Sequence, residues 1–417
     1  MSNSFSDRLL PKLPQLVSEY RTPFHIYDER SIVATHRRLA QAFSDIQFGQ
    51  FFAVKALPTP AVMAKLIEAG SGLDCSSEIE LEFAARLGLR GPSIVFTSNN
   101  TSSREYEVAR AADALITFDD LGFFEKVTEL PAVVAFRVAP HGLGSGSRQM
   151  GDPGQSKFGV PPDRLSYAYR TAIARGARRF GLHGMMYANE LTLKHALNAA
   201  VAVIELAARL ATELGIEMEY INIGGGLGIP YHPWDREFDL QGYSAGLKES
   251  LCRLFPQRRP TLLMELGRYI TGPHGVLVTS VINCMRKSRD LVGLDASMSA
   301  LMRPALYGAY HHITLPFAGQ RTQGVYDVVG ALCENFDKFA IQRPLPEPRI
   351  GDIVLIHDTG AHGHAMGFSY NGRLRPAELL LTDAGDVMEI RRAETFSDHI
   401  AAVCWNPRPV LLDSVGA

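Results

Sequence analysis

From residue 49 to residue 267 the chain alternates short, β-rich apolar runs with amphipathic helical stretches, and no other feature limits its possible folds as strongly. Eight runs stand out, at 51–54, 72–74, 93–97, 114–118, 132–138, 179–185, 220–223 and 262–265. Helical patterns fill the gaps. The stretch 60–69 has Thr59 as N-cap, Pro60 at the first helical position and Gly70 as its stop, and similar patterns run over 77–87 and 193–214. Strands joined through helices lie parallel, so eight such units in succession predict an α/β architecture, a closed (β/α)8 TIM-type barrel. An open doubly wound sheet is the alternative.

After Gly267 the texture changes to β-rich runs without regular helices, at 276–284, 291–293, 353–356, 378–381 and 387–391. They predict a second, mostly antiparallel β domain. The strand-like Phe24-His25-Ile26-Tyr27 precedes the barrel and is expected to pair into that domain. The expected division is a barrel over 30–275 and a β domain assembled from 1–29 plus 276–417. A chain of 417 residues suits two such units.

Charge narrows the ligand. With 42 basic and 44 acidic side chains the formal net charge is -2, and no basic run stands out, so nucleic acid and anionic membrane are not expected partners. A small molecule is. The five cysteines, Cys75, Cys252, Cys284, Cys333 and Cys404, are scattered without a CxxC pair, which argues against a disulfide framework or a metal site and for a reducing compartment. The first twenty residues lack an apolar signal core, and no stretch has the length of a membrane span. A soluble, cytoplasmic protein is expected.

In a parallel barrel the residues just past the strand ends converge on one face, where loops build the site. Polar groups concentrate there in this chain. Lys55 follows the first run, Asp74 ends the second, Asn99 and Asn100 follow the third, and Arg137 lies near the end of the fifth. The sixth carries His183, the seventh runs into Gly224-Gly225-Gly226, and the eighth ends at Glu265 and leads to Arg268. An amine at the end of the apolar run Phe51-Phe52-Ala53-Val54 is partly desolvated, which disfavours its ammonium form and suits a Schiff-base nucleophile; a lysine snorkelling into water is the plainer reading. The glycine loop bares backbone amides suited to a phosphate, or is only a tight turn. Lysine and phosphate loop together imply a phosphorylated aldehyde, pyridoxal 5′-phosphate, and Glu265 is then placed to keep its ring nitrogen protonated.

These residues, with Asp74-Cys75-Ser76-Ser77 and Glu80, Ser156-Lys157-Phe158-Gly159, Glu265-Leu266-Gly267-Arg268, Arg303-Pro304-Ala305-Leu306-Tyr307, Leu332-Cys333-Glu334-Asn335, Gly360-Ala361-His362-Gly363, Tyr370-Asn371 and Arg375-Pro376-Ala377-Glu378, resemble the fold-type III pyridoxal phosphate decarboxylases, which include the diaminopimelate, ornithine and arginine decarboxylases. The resemblance covers nearly the whole chain and is nearest to the diaminopimelate branch. It implies an alanine-racemase-like barrel with a decarboxylase β domain. It also implies that Lys55 binds the cofactor aldehyde, that Glu265 faces the pyridine nitrogen, and that Gly224, Gly225, Gly226 and Arg268 hold the phosphate. Arg303 and Tyr307, with Arg268, look like contacts for a substrate carboxylate. Cys333 and Glu334 match a pair that enters the neighbouring subunit's site, the cysteine supplying a proton, which implies a homodimer with shared sites. Asp74 and Lys157 resemble an ion pair beneath the cofactor.

Two places depart from the family pattern. Where a histidine commonly stacks on the cofactor ring, the chain reads Gly184-Met185-Met186-Tyr187-Ala188, which puts Met185 at the stacking position and Ala188 in place of a phosphate-binding serine; His183 lies earlier and is not expected to substitute. A Gly-Ala-Tyr motif appears as Gly360-Ala361-His362, with His364 as a competing candidate for the tyrosine's role. The expected activity is decarboxylation of an amino acid, meso-2,6-diaminopimelate to L-lysine in the first instance, as in lysine biosynthesis. The alternatives are the same chemistry on another carboxylated or basic amino acid, or an inactive cofactor-binding homologue. An alanine racemase would place an arginine, not Glu265, against the pyridine nitrogen.

Overall fold

The computed structural model describes residues 3–140 and 153–406, so the end of the second expected domain, 407–417, lies outside the described residues. Strand β1 (Phe24–Asp28) comes first. The next eight are β2 (Phe48–Ala53), β3 (Gly72–Cys75), β4 (Ile94–Thr97), β5 (Leu115–Phe118), β6 (Val134–Val138), β7 (Phe180–Gly184), β8 (Met218–Asn222) and β9 (Thr261–Glu265). They lie parallel and close into a barrel, β9 returning to β2. Each of the eight expected runs overlaps one of these strands, and closure excludes the open sheet.

The helices between them follow the local signals. Pro60–Glu68 starts at a proline, Glu78–Arg86 starts where the Ser77 hydroxyl accepts the amide of Glu80, and Leu193–Leu214 ends at Gly215 in the left-handed region. Thr59 does not cap with its side chain. Its hydroxyl is 3.2 Å from both carboxylate oxygens of Glu378, in the sheet described below.

Strand pleating sends alternate residues into the barrel. Phe51, Val95, Ala135, Tyr220 and Leu263 form an apolar floor there. Two residues further along β4, β6, β8 and β9 stand Thr97, Arg137, Asn222 and Glu265, and β7 adds His183 two past Gly181, so the same period that seals the base lines the mouth with polar groups. The outward residues, such as Phe52, Phe96, Leu182 and Leu262, pack under the helices.

The remaining strands are β10 (Gly275–Arg286), β11 (Asp290–Leu294), β12 (Ile313–Thr314), β13 (Gln323–Val329), β14 (Lys338–Pro346), β15 (Ile353–Ile356), β16 (Ala377–Leu381) and β17 (Val387–Arg391). They form a mostly antiparallel sheet in the order β14-β13-β11-β10-β1-β16-β17, with β15 beside β10 and β12 beside β15. β1 sits inside it, antiparallel to β10 and parallel to β16. Three of these strands, β12, β13 and β14, are not foreseen by the sequence reading. β14 carries Pro344 and Pro346, which demote a run as a strand, and the structure accommodates them by placing β14 at the sheet edge.

A buried polar cluster joins sheet to barrel. Glu378 is fully buried and accepts from Tyr27 Oη at 2.6 Å, from Thr59 and from Arg391 Nε, while Arg391 also reaches the carbonyl of Pro58. His364 and His25 lie beside it, and burial pushes their imidazoles down to about 3 and about 4. A histidine held neutral by burial leaves the unfolded chain to bind the extra proton below its ordinary pKa. Stability therefore falls as pH drops from about 6.5, and keeps falling until the folded group titrates. We expect the urea midpoint to decline steadily from pH 7 to pH 4.5, each of these histidines contributing on the order of 1 kcal/mol per pH unit. His25→Gln should flatten that slope by nearly one proton; an unchanged slope would remove His25 from this account.

Candidate active site

Glu265, at the end of β9, is buried, and three strands supply its donors. Thr97 Oγ1 donates to Oε1 at 2.9 Å and Asn222 Nδ2 to the same oxygen at 2.7 Å. His183 Nε2 lies 3.2 Å from Oε2. Arg137 Nε reaches His183 Nδ1 at 3.4 Å, so Nδ1 accepts and the imidazole hydrogen sits on Nε2, facing the carboxylate. Arg137 is in turn paired with Asp119 at 2.9 Å. Burial alone would raise the Glu265 pKa, but His183, Lys55 and Arg137 reverse that and hold the carboxyl well below the usual range. Glu265 is therefore a fixed anion facing the barrel mouth.

Lys55 lies in the turn directly after β2, with half of its side chain open to that mouth. Its Nζ is 2.6 Å from Asp74 Oδ2. Burial works against the ammonium form, and Asp74 and Glu265 outweigh it, so the pKa is raised. This corrects the expectation of a neutral amine: an apolar strand end would desolvate the lysine, but the next strand presents a carboxylate to it. Asp74 pairs with Lys55 and not with Lys157, which is exposed, its ammonium 5.3 Å from the ring of Phe158. Asn99 joins the cluster through Asp119 at 2.6 Å, whereas Asn100 is exposed in a left-handed turn.

The loop after β8 is glycine for steric reasons. A Cβ on Gly225 would lie 2.3 Å from the carbonyl oxygen of Glu265, and one on Gly226, at φ 92°, would lie 2.2 Å from that of Tyr187. The Gly224 amide donates to Asn222 Oδ1 and the Gly225 amide to Met185 Sδ at 3.2 Å. Met185 thus leans on the glycine loop. Among the described residues the amides of Gly226 and Leu227 carry no hydrogen bond.

Cations gather next to this loop. Arg268 Nη1 donates to Tyr231 Oη at 2.7 Å, and Arg303, 1% exposed, lies 4.6 Å from the centre of the same ring. Tyr307 is half exposed at the end of the short helix that Arg303 begins. His362 adopts a left-handed backbone (φ 56°) and donates its amide to Ala56, in the Lys55 turn. Burial, then Arg268, Arg303 and Lys55, drive its pKa well down, so it stands neutral among these cations. His364 does not compete for this place. It accepts from Arg375 at 2.8 Å and donates to the carbonyl of Pro376, in the polar cluster beside Glu378.

Cys333 and Glu334 lie elsewhere. Cys333 is exposed and its amide donates to Asn371 Oδ1 at 2.7 Å, while Glu334 accepts from the amide of Phe336. Among the described residues neither touches Lys55 or Glu265. Thr97, Asp119, Asn222 and Tyr231 join the site in the structure without having been among the expected residues. Thr97 ends an otherwise apolar run, Asp119 directly follows one, and Asn222 is the polar residue within the run 220–223. Tyr231, seven residues past Gly224, carried no such mark.

An amine, a fixed carboxylate and a glycine cradle at one barrel mouth define a pyridoxal-dependent enzyme. The chain belongs to the pyridoxal-dependent decarboxylases, whose pyridoxal-binding domain matches residues 29–272. Protein TabA of Pseudomonas amygdali pv. tabaci is 66% identical over 407 residues, covering 98% of this chain and 97% of that protein. The diaminopimelate decarboxylase of Methanothermobacter thermautotrophicus is 35% identical over 395 residues, 92% of each chain. Among solved structures, diaminopimelate decarboxylase from Helicobacter pylori complexed with L-lysine matches with a TM-score of 0.86 at 26% identity, over 94% of this chain and 98% of that one.

The residues present fit pyridoxal 5′-phosphate. Asp74 Oδ1 is buried without a partner, and the amides of Gly226 and Leu227 are unengaged. Gly225→Ala would push the loop off the Glu265 carbonyl and disturb cradle and carboxylate together. We expect at least about tenfold weaker cofactor retention, read as cofactor absorbance per chain after gel filtration; retention equal to the parent would contradict this packing.

Proposed function

We propose that the chain decarboxylates an α-amino acid bearing a second, distal carboxylate, with meso-2,6-diaminopimelate as the best-fitting substrate and L-lysine and carbon dioxide as products. The observation that carries this reading is Arg303. It is buried beside Arg268, shares Tyr231 with it, and among the described residues neither guanidinium has a carboxylate within ion-pair distance. A buried cation without a paired carboxylate is a receptor for an incoming anion, and a guanidinium suits a planar carboxylate. Relatives and solved structures named as diaminopimelate decarboxylases support the same substrate class.

Pyridoxal 5′-phosphate, when bound, supplies an aldehyde for the lysine and a ring that accepts the electron pair left by departing carbon dioxide. Lys55 is the amine for that aldehyde, and Asp74 fixes its place and governs its proton. Glu265, kept ionised by Thr97, Asn222 and His183, holds a proton on the ring nitrogen. The free amides of Gly226 and Leu227, with Arg268 and His362, would hold the phosphate, and the Met185 thioether would pack against the cofactor. Arg303 and Tyr307 orient the distal carboxylate so that the other carboxylate leaves. The proton that replaces it comes from Cys333 of a second copy, accompanied by Glu334. The exposed Phe336 and Tyr370 near Cys333 and its partner Asn371 support an interface there, hence a homodimer, working in the cytoplasm.

A second reading keeps the chemistry and changes the substrate to another carboxylated or basic amino acid. Met185 and Ala188 favour it, because they alter the cofactor's surroundings without touching Lys55 or Glu265. Carbon dioxide release screened across L-, D- and meso-amino acids decides between them. We expect release from meso-diaminopimelate, its KM rising at least about 30-fold in Arg303→Ala, as loss of a buried charge contact predicts. Turnover of a different amino acid with none of diaminopimelate would establish the second reading. Lys55→Ala should lose all turnover. Mixing it with Cys333→Ala should restore about a quarter of native activity, since half of random dimers are mixed and each has one intact site; no recovery would refute the shared site.

A further inference from the structure

Among the described residues, every group in hydrogen-bond or ring contact with Arg303 lacks formal charge, and the buried Asp358 acts on it only at longer range, without an ion pair between them. Its Nη1 donates to Nε2 of His311 at 2.8 Å, its guanidinium lies over Tyr231, and its Nε has no partner. The tautomer of His311 is fixed. Its Nδ1 is 2.7 Å from the carbonyl oxygen of His357, which can only accept, so Nδ1 carries the hydrogen and Nε2 turns a lone pair to Arg303. Arg343 donates to the backbone carbonyl of His311 at 2.8 Å. Burial, with Arg303, Arg268 and Arg343 around it, pushes the imidazole down to about 3, so it is neutral across the working pH range.

A carboxylate is the usual partner for a buried guanidinium, because it compensates the desolvation of the charge. Here it would also cancel that charge and compete with any incoming anion. A neutral imidazole orients the guanidinium and leaves its charge uncancelled. Tyr231 does the same through its ring face, and its hydroxyl ties Arg268 to the same neutral side chain. We propose that His311 is a positioning residue that sets specificity, aiming Arg303 at the substrate's second carboxylate while keeping its charge available. This rests on the reading of Arg303 as receptor for the distal carboxylate.

Glutamine and glutamate differ by one charge at almost equal size, and either can present an oxygen where His311 Nε2 now stands. The holoenzyme is titrated calorimetrically with pimelate, a dicarboxylate with no amino group to react at Lys55. The native chain and His311→Gln should bind it within about threefold of each other, and His311→Glu at least about 30-fold more weakly. His311→Asp brings the same charge with less bulk and replaces His311→Glu if the latter melts below the native chain. Equal affinity of the acid and Gln variants, or no pimelate binding to the native chain, overturns the proposal. Diaminopimelate turnover in parallel separates the two readings. A charge effect on pimelate without native turnover would sink the substrate assignment alone. Native turnover with the same KM in the acid and Gln variants would sink the role of His311 alone.

Discussion

A carboxylate buried at the mouth of a barrel has to be met by donors, and the strands around Glu265 are arranged to meet it. β4, β7 and β8 each give one, and Arg137 with Asp119 sets the tautomer of the histidine among them. An isolated charge in such a place is costly, and removing one donor would leave part of that cost uncompensated. The barrel's closure and the acidity of Glu265 are thus one arrangement. The strands must stand in register for the donors to converge, and the donors make that register favourable.

Much of this was legible because strand period and function coincide. The runs that read as strands are the strands, and the inward residue two places past the apolar floor is the one that reaches the mouth. Thr97, Arg137, Asn222 and Glu265 stand two places past Val95, Ala135, Tyr220 and Leu263, whereas Lys55 is legible as the first charge in the turn after its run. The state of Lys55 was not legible, because it depends on how near β3 brings Asp74, and a run of apolar residues says nothing of a charge 19 positions on. Tyr231 and His311 were invisible for a related reason. They lie in irregular segments 80 residues apart, and only the folded chain sets their rings edge to face, 5.2 Å between centres, around Arg303. The resemblance to known decarboxylases supplied the motifs but paired Asp74 with Lys157, where the structure pairs it with Lys55.

Met185 shows how a departure from family pattern is absorbed. Its sulfur takes the Gly225 amide, a donor that a phosphate would otherwise compete for, and so the loop is partly satisfied before any ligand arrives. A thioether is a weak acceptor and yields readily to an anionic oxygen. The cradle is therefore held in shape by a contact that is easily displaced. Contrast the carboxylate side, where Glu265 is locked by strong donors and has little freedom to move.

β1 is made first and paired last. Its neighbours in the sheet are β10, more than 240 residues later, and β16, a further hundred beyond. The whole barrel is an excursion between two adjacent strands, leaving after Asp28 and returning at Gly275. On the ribosome this apolar strand must wait unpaired while the barrel emerges. The order of synthesis makes the barrel an independent folding task and the sheet its seal, completed only when the chain has come full circle.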